Sequence, residues 1–511
     1  MRVTFFPLYI LHQRAICSTL ACFLLKTMES LQWDHFISSI FQLVQLLVVY
    51  VCIAIEIYVF VAKCGIGYYL LPVVIVVLLL GVSVILLYRS GEVYLLDFSC
   101  LRPPLTCRVP TAALLEHLTL IPCFDAKSVA FMSKIITASG IGEETYFPPS
   151  LHYIPPFTSH AVCLDEAHML LFPTLDDLFV KTHVDPRDVD VLVVNCSGFC
   201  PAPSLSAMVV SRYVMREDVK SYSLSGMGCS AGAIGVDIAR GAMRSGRARY
   251  AVVVSTEIVS TGWYPGKDRR KLLLNCLFRM GCSAVMLTNR GEERARSKYK
   301  LLRLLRTQRA FDDRAYRSAI REEDAEGITG FSIERDLLRV ASETLRANVV
   351  ELGASILPAE ERLRYVVRSL LRAWRKGMEK GSTGGVDWGK AIQHFCLPAS
   401  GIAVLEEIGK GLGLGERETE AARMTFHRFG NQSSSSIWYQ LAYEEGKGRV
   451  EKRERVWQLA MGSGPKCNSL VWECLCRSPE GEAEKGPWAT SIHRYPLPAR
   501  GAANDVGLPF L

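Results

Sequence analysis

Two apolar runs dominate the first hundred positions. Residues 43–62, LVQLLVVYVCIAIEIYVFVA, and 68–88, YYLLPVVIVVLLLGVSVILLY, are each close to the ~20 residues a helix needs to cross a bilayer. Only Lys63 and a few small residues lie between them, which predicts a helical hairpin in a membrane. Glu56 is costly in lipid and is expected to face the second helix. Arg14 and Lys26 precede the first run and Arg89 follows the second, so the flanking charges place both ends on the cytosolic side. Residues 1–27 form a separate apolar, cysteine-containing stretch. It reads as a signal-like segment or as an extension upstream of Met28.

After residue 90 the period changes to that of a globular α/β body. DVDVLVVNC predicts a buried strand, SGFCPAPS a loop and LSAMVVSRYVMRED an amphipathic helix. SYSLSG is a short strand, CSAGAIGVDIARGAMRSG a helix, and RYAVVVSTEIV and CSAVMLTN two further strands. The theme then repeats. Helical stretches near 341–349 and 359–374 precede the strand AIQHFCL and the helix GIAVLEEIGKGLG; the helix SSSSIWYQLAYEEG and the strand VWQLAMG follow. Strands alternating with helices imply right-handed crossovers and a largely parallel sheet. The Gly-rich RKGMEKGSTGG reads as a surface loop. The tail from residue 477 is polar, Pro/Gly-punctuated and expected to be poorly ordered.

Composition narrows the class. A chain of 511 residues exceeds one ordinary core, so a duplicated or two-part body is expected. It is 49% hydrophobic, with the excess near the N-terminus. The net charge of +8 is scattered, with no basic arm interleaved with aromatics, so it suits anionic lipid or an acidic thioester carrier rather than nucleic acid. The 17 cysteines are odd in number and irregularly spaced, so they predict neither a zinc site nor a disulfide framework but reduced thiols. No cofactor is indicated.

The sharpest local feature is SLSGMGCSAGAIGVDIAR. Gly226, Gly228 and Gly232 surround Cys229 where a strand gives way to a helix. Glycines permit that tight turn, and the helix N-terminus is expected to favour the attacking thiolate. A small buried cysteine in a glycine turn would look the same on this stretch alone. An α/β-hydrolase elbow requires glycines at Met227 and Ala231 and is excluded.

The stretches VNCSGFCPAPSLSAMVVSRYVMREDVKSYSLSGMGCSAG, NCLFRMGCSAVMLTN, HRFGNQSSSSIWYQLAYEEGKGR and MGSGPKCNSLVW resemble the plant 3-ketoacyl-CoA synthases. So do GEVYLLDFSCLRP, SGIGEETYFPPSLHYIPP and the paired apolar runs; the resemblance spans about residues 35–475. It implies a thiolase-like fold: two similar five-stranded halves in α/β/α/β/α layers, behind an N-terminal two-helix anchor. The implied organisation is an extension (1–35), the hairpin (36–90), a half carrying the nucleophile (91–300), a second half (301–476) and the tail (477–511). The implied activity is an acyltransferase reaction of very-long-chain fatty acid elongation, serving wax, cuticle or sphingolipid synthesis. A long acyl group passes from CoA to Cys229, malonyl-CoA loses carbon dioxide, and the enolate attacks to give a 3-ketoacyl-CoA. The implied setting is the endoplasmic reticulum membrane with the body facing the cytosol. The implied partners are long-chain acyl-CoA, malonyl-CoA, a second copy or another condensing enzyme, and the elongase reductases and dehydratase.

In that family an asparagine and a histidine stabilise the enolate. Asn431 in RFGNQSSSS matches the asparagine, while the preceding His427 reads as structural. The family reads H-F-C-I-H-A-G-G where this chain reads His394, Phe395, Cys396, Leu397, Pro398, Ala399, Ser400, Gly401. The catalytic position is therefore Pro398, which has no side-chain donor, and a further family histidine corresponds to Gln308. His394 is the remaining candidate base, but four extended residues span about 13 Å. The alternatives are a catalytically impaired member that binds acyl-CoA or partners active subunits and regulates them, and a soluble type III polyketide synthase of the same fold. The membrane hairpin argues against the last.

Overall fold

The computed structural model describes residues 92–244, 248–364, 386–476 and 486–497, together with Val76, Leu79 and Gly81. The runs at 43–62 and 68–88 lie outside the described residues, apart from Val76, Leu79 and Gly81, which are helical. Among the described residues no helix is long and apolar enough to cross a membrane. The helical stretch near 359–374 falls largely outside them, as does the loop 375–385.

From Glu92 onward the chain forms one compact unit. Its nine main strands are β1 (Tyr94–Cys100), β2 (Val191–Asn195), β3 (Lys220–Leu224), β4 (Tyr250–Thr256), β5 (Cys282–Thr288), β6 (Tyr299–Gln308), β7 (His394–Cys396), β8 (Arg455–Gly462) and β9 (Lys466–Cys474). Their spatial order is β7-β8-β9-β6-β1-β5-β4-β2-β3. The main helices are α1 (His160–Thr182), α2 (Leu205–Arg212), α3 (Ala231–Arg244), α4 (Leu337–Ile356), α5 (Ile402–Leu412), α6 (Glu416–Phe429) and α7 (Ser436–Gly446).

The duplication is written in this order. Read outward from the middle, one half runs β1-β5-β4-β2-β3 and the other β6-β9-β8-β7. The pairing senses match as well: β1–β5 and β4–β5 are antiparallel, as are β6–β9 and β8–β9, while β2–β4 and β7–β8 are parallel. The second half has four described strands rather than five, since β3 finds no strand counterpart among the described residues. The halves join at one edge, where Tyr94 lies opposite Lys300 and Leu95 opposite Tyr299.

Helices supply the remaining layers. Helix α1 packs on β1 and β5, and α4 packs on β6 and β9. Between the halves, α3 touches β4 and β2 on one side and β8 and β9 on the other, while α7 meets β7, β8 and β1. Strands buried on both faces must be apolar throughout, as VLVVN in β2 and YAVVVST in β4 are. A helix covered on two sides must be slim, and the first turns of α3 read AGAIGV, all buried. A Cβ on Gly235 would sit 2.6 Å from Val253 Cγ1. The layering is α/β/α/β/α.

The expectation for the tail is corrected in one segment. Residues 486–497 dock on the body: Trp488 is buried against Phe429, Tyr443 and Tyr495, and its Nε1 donates to Tyr439 O at 2.9 Å. Three aromatic contacts outweigh a polar composition.

Candidate active site

Equivalent loops of the two halves meet. In the first half the chain leaves β3, makes a 3-10 turn over Gly228–Ser230 and enters α3. In the second it leaves α6 through Gly430, passes Asn431, makes a 3-10 turn over Ser433–Ser435 and enters α7. The two turns pack on each other, and Ser433 Oγ lies 3.5 Å from Cys229 Sγ.

Glycine is required at this seam. Gly228 has φ +63°, and a Cβ there would fall 2.4 Å from Ser463 N in the β8–β9 hairpin. From the other side, a Cβ on Gly462 would meet Met227 O and Ser230 Oγ, each at 2.6 Å. The segment MGSGPKCNS is thus the hairpin that backs the nucleophile turn. Gln308, at the end of β6, lies opposite Lys466 at the base of the same hairpin.

Each serine of NQSSSS has its own partner. Ser433 Oγ reaches Cys229 and also lies 3.2 Å from Glu257 Oε2. Ser434 donates to Asn195 Oδ1 at 2.6 Å, Ser435 to Ser255 O at 2.6 Å, and Ser436 Oγ accepts from Gln432 N–H at 3.1 Å. These bonds tie the loop before α7 to the ends of β2 and β4. Asn431 is buried and bridges to Phe278: Asn431 N–H donates to Leu277 O, and Asn431 O accepts from Arg279 N–H. Its Oδ1 accepts from Ser433 N–H at 2.8 Å, which leaves Nδ2 without a partner among the described residues. Cys229 and Asn431 are brought to one seam by these contacts.

The thiol is not poised as the helix N-terminus suggested. Burial pushes Cys229 up to about 11; the Ser433 hydroxyl lowers it and the Glu257 carboxylate raises it. A helix N-terminus favours an anion by only ~0.3–1 kcal/mol, less than one pKa unit, so burial prevails.

His394 does not join the set, and its expected place there is corrected. It opens β7 opposite Val456, with Nδ1 3.3 Å from Glu444 Oε2 and Nε2 2.8 Å from Glu454 Oε2. Both ring nitrogens are thereby engaged by carboxylates. Pro398 is buried two residues beyond β7. The preceding Leu397 is clamped by Gln440 of α7, which accepts from Leu397 N–H and donates to Leu397 O, both at 2.7 Å. The pairing of β7 with β8 ends at Cys396 opposite Gln458, two residues before Pro398. His427 packs edge-on against Tyr495, its Nδ1 3.1 Å from Tyr495 Oη.

Sequence reasoning missed Glu257, Ser433 and Asn195. The available signal was an acid directly after the wholly apolar strand YAVVVST.

The comparisons with known proteins agree with this arrangement. The FAE1/Type III polyketide synthase-like protein family matches residues 85–374. The chain is 46% identical over 422 residues to 3-ketoacyl-CoA synthase 6 of Arabidopsis thaliana, covering 81% of this chain and 83% of that one. It is 45% identical over 417 residues to 3-ketoacyl-CoA synthase 5 of the same plant, covering 81% and 84%. Among solved structures, 1,3,6,8-tetrahydroxynaphthalene synthase from Streptomyces coelicolor, a bacterial type III polyketide synthase, superposes with a TM-score of 0.58 at 16% identity. That match covers 75% of this chain and 99% of the other. A type III pentaketide synthase from Neurospora crassa gives 0.58 at 15%, with the same coverage. These two likenesses establish the thiolase-like fold. With the duplicated halves, the Cys229–Asn431 seam and the extent of the sequence match together, the chain belongs to the plant 3-ketoacyl-CoA synthase family.

Proposed function

We propose that the chain is an acyltransferase that condenses a long-chain acyl-CoA with malonyl-CoA, the 3-ketoacyl-CoA synthase reaction of very-long-chain fatty acid elongation. The observation that carries this reading is the meeting of the Cys229 turn with the Asn431–Ser433 loop. Cys229 takes the acyl group as a thioester. Loss of carbon dioxide from malonyl-CoA places negative charge on its thioester oxygen, and Asn431 Nδ2 is the donor held for it. One such donor is typically worth ~10²–10³ in rate.

Pro398 contributes no donor and no base. Condensation is therefore slower than in a member with histidine at that position, by ~10²–10⁴. The same proline, with the high Cys229 thiol, supports a second reading: an impaired member that holds acyl-CoA or partners active condensing subunits and regulates them. The apolar runs at 43–62 and 68–88 support an anchor in the endoplasmic reticulum membrane, with the body on the cytosolic side. There the chain would pair with itself or another condensing enzyme, beside the elongase reductases and dehydratase.

Full-length protein in detergent, given a long-chain acyl-CoA and labelled malonyl-CoA, tests the assignment. Labelled 3-ketoacyl-CoA above a Cys229→Ala control is expected, and P398H combined with Q308H is expected to raise the rate at least about 10²-fold. Absence of product in both the native chain and the double variant would sink the condensing reading. Extraction from membranes by detergent but not by high salt is expected in the same preparation.

A further inference from the structure

Beside the nucleophile stands an acid with no part in the chemistry above. Glu257 directly follows β4, whose seven residues are all buried, so the strand delivers a carboxylate into the body. Gly198 N–H donates to Oε1 at 2.7 Å and Ser197 N–H to Oε2 at 3.3 Å, while the Cys196 thiol meets Oε1 at 3.5 Å. Arg321 gives its guanidinium to Gly198 O and Thr261 O instead. Burial raises the Glu257 pKa, with the surrounding donors pulling partly against it.

Ser433 connects this acid to Cys229. Its φ is +55°, a left-handed conformation that costs a non-glycine residue roughly 1–2 kcal/mol. Asn431 Oδ1 helps hold it there through Ser433 N–H. The strained backbone aims Oγ between Cys229 Sγ at 3.5 Å and Glu257 Oε2 at 3.2 Å. A hydroxyl has one proton. With Glu257 ionised, that proton goes to the carboxylate, and the Ser433 oxygen is free to accept the Cys229 S–H. The three groups then form a directed chain, thiol to hydroxyl to carboxylate.

We propose that Ser433 and Glu257 form a proton relay that deprotonates Cys229 during acyl transfer, in the place left by the absent histidine. As Cys229 Sγ bonds to the acyl carbonyl carbon, its proton passes to Ser433 Oγ, and the Ser433 proton passes to Glu257 Oε2. As the bond from that carbon to the CoA sulfur breaks, the proton returns through Ser433 to the departing thiolate. Acyl-Cys229, free CoA thiol and ionised Glu257 remain, and no other reactant is needed. The relay removes a specific obstacle. A thiol near 11 is ionised in only about one molecule in 10⁴ at pH 7, so transfer that waited for free thiolate would be slow. Ser433 touches the reacting sulfur and is the catalytic residue; Glu257 acts through it as a positioning residue.

The relay rests on the acyl-transfer reading of the site, and its test uses that half-reaction alone. Full-length protein in detergent is mixed with a long-chain acyl-CoA without malonyl-CoA, and CoA release in the first turnover is followed. In parallel, alkylation of Cys229 by iodoacetamide reports thiolate formation. E257Q is expected to slow CoA release about 10²-fold or more and to slow alkylation as well, because the acceptor at the end of the relay is gone. S433A is expected to slow both, because the hydroxyl that stabilises the thiolate is lost. CoA release that survives E257Q overturns the relay alone. Faster alkylation in both variants, as mere exposure of the thiol would give, also overturns it. Native protein that acquires no acyl group overturns the acyl-transfer reading and the relay with it.

Discussion

The imidazole of His394 bridges Glu444 and Glu454 deep in the second half. Burial by itself would lower its pKa, but hydrogen bonds and charge from the two carboxylates outweigh burial, and the net shift is upward. A group raised on folding contributes stability that is fully present below its unfolded value near 6.5 and lost as pH rises through the folded value. H394A should therefore cost about 3–5 kcal/mol at pH 6, with the gap to the native chain narrowing as pH rises above 6.5. Thermal melts of both proteins from pH 6 to pH 9 check this; a gap that widens with pH would refute it. None of this was legible in HFCLPASG, because the two carboxylates arrive from 50 and 60 residues away. Cys229 stood out because glycines mark its turn locally, whereas Asn431 stood out only through the resemblance of RFGNQSSSS to the family's motif. Glu257 was not, since an acid after an apolar strand looks the same whether it ends in solvent or in the core.

Among elements, the seam depends on two hairpin-to-turn contacts that admit no side chain. At Gly228 both obstacles coincide: a left-handed φ and a backbone nitrogen 2.4 Å from the added Cβ. G228A is expected to lose at least ~1–2 kcal/mol of stability and to separate the turn from the hairpin. CoA release should then fall by 10-fold or more while the far-UV circular dichroism is retained; unchanged release would show that the contact is dispensable. Buried strands such as β2 and β4 were readable from their continuous apolar runs, and α3 from its small residues. Helix α1 was not, because Pro173 sits inside it and local rules end a helix there. Packing against β1 and β5 carries α1 through. Strand β9 was hidden for another reason: KCNSLVWEC alternates poorly, since eight of its nine residues are buried.

At the scale of the whole molecule, the repeated strand–helix order made the duplication legible, while the docking of residues 486–497 was not, because Trp488 and Tyr495 were outvoted by polar neighbours. Trp488 stacks edge-on with Phe429, which stands two residues before Asn431. W488A is predicted to cost about 3–5 kcal/mol and to weaken condensation as well, measured by unfolding in urea and by product formation. A stability loss with condensation untouched would confine the tail to a structural role. The duplication also has a consequence in time. Cys229 and Ser433 are 204 residues apart in the chain. At ~5–20 residues per second, the ribosome makes the serine about 10–40 s after the cysteine. Throughout that interval the nascent thiol has neither its hydroxyl neighbour nor Asn431 beside it. The seam between the two turns therefore closes only after the 204 residues that separate Cys229 from Ser433 have been made.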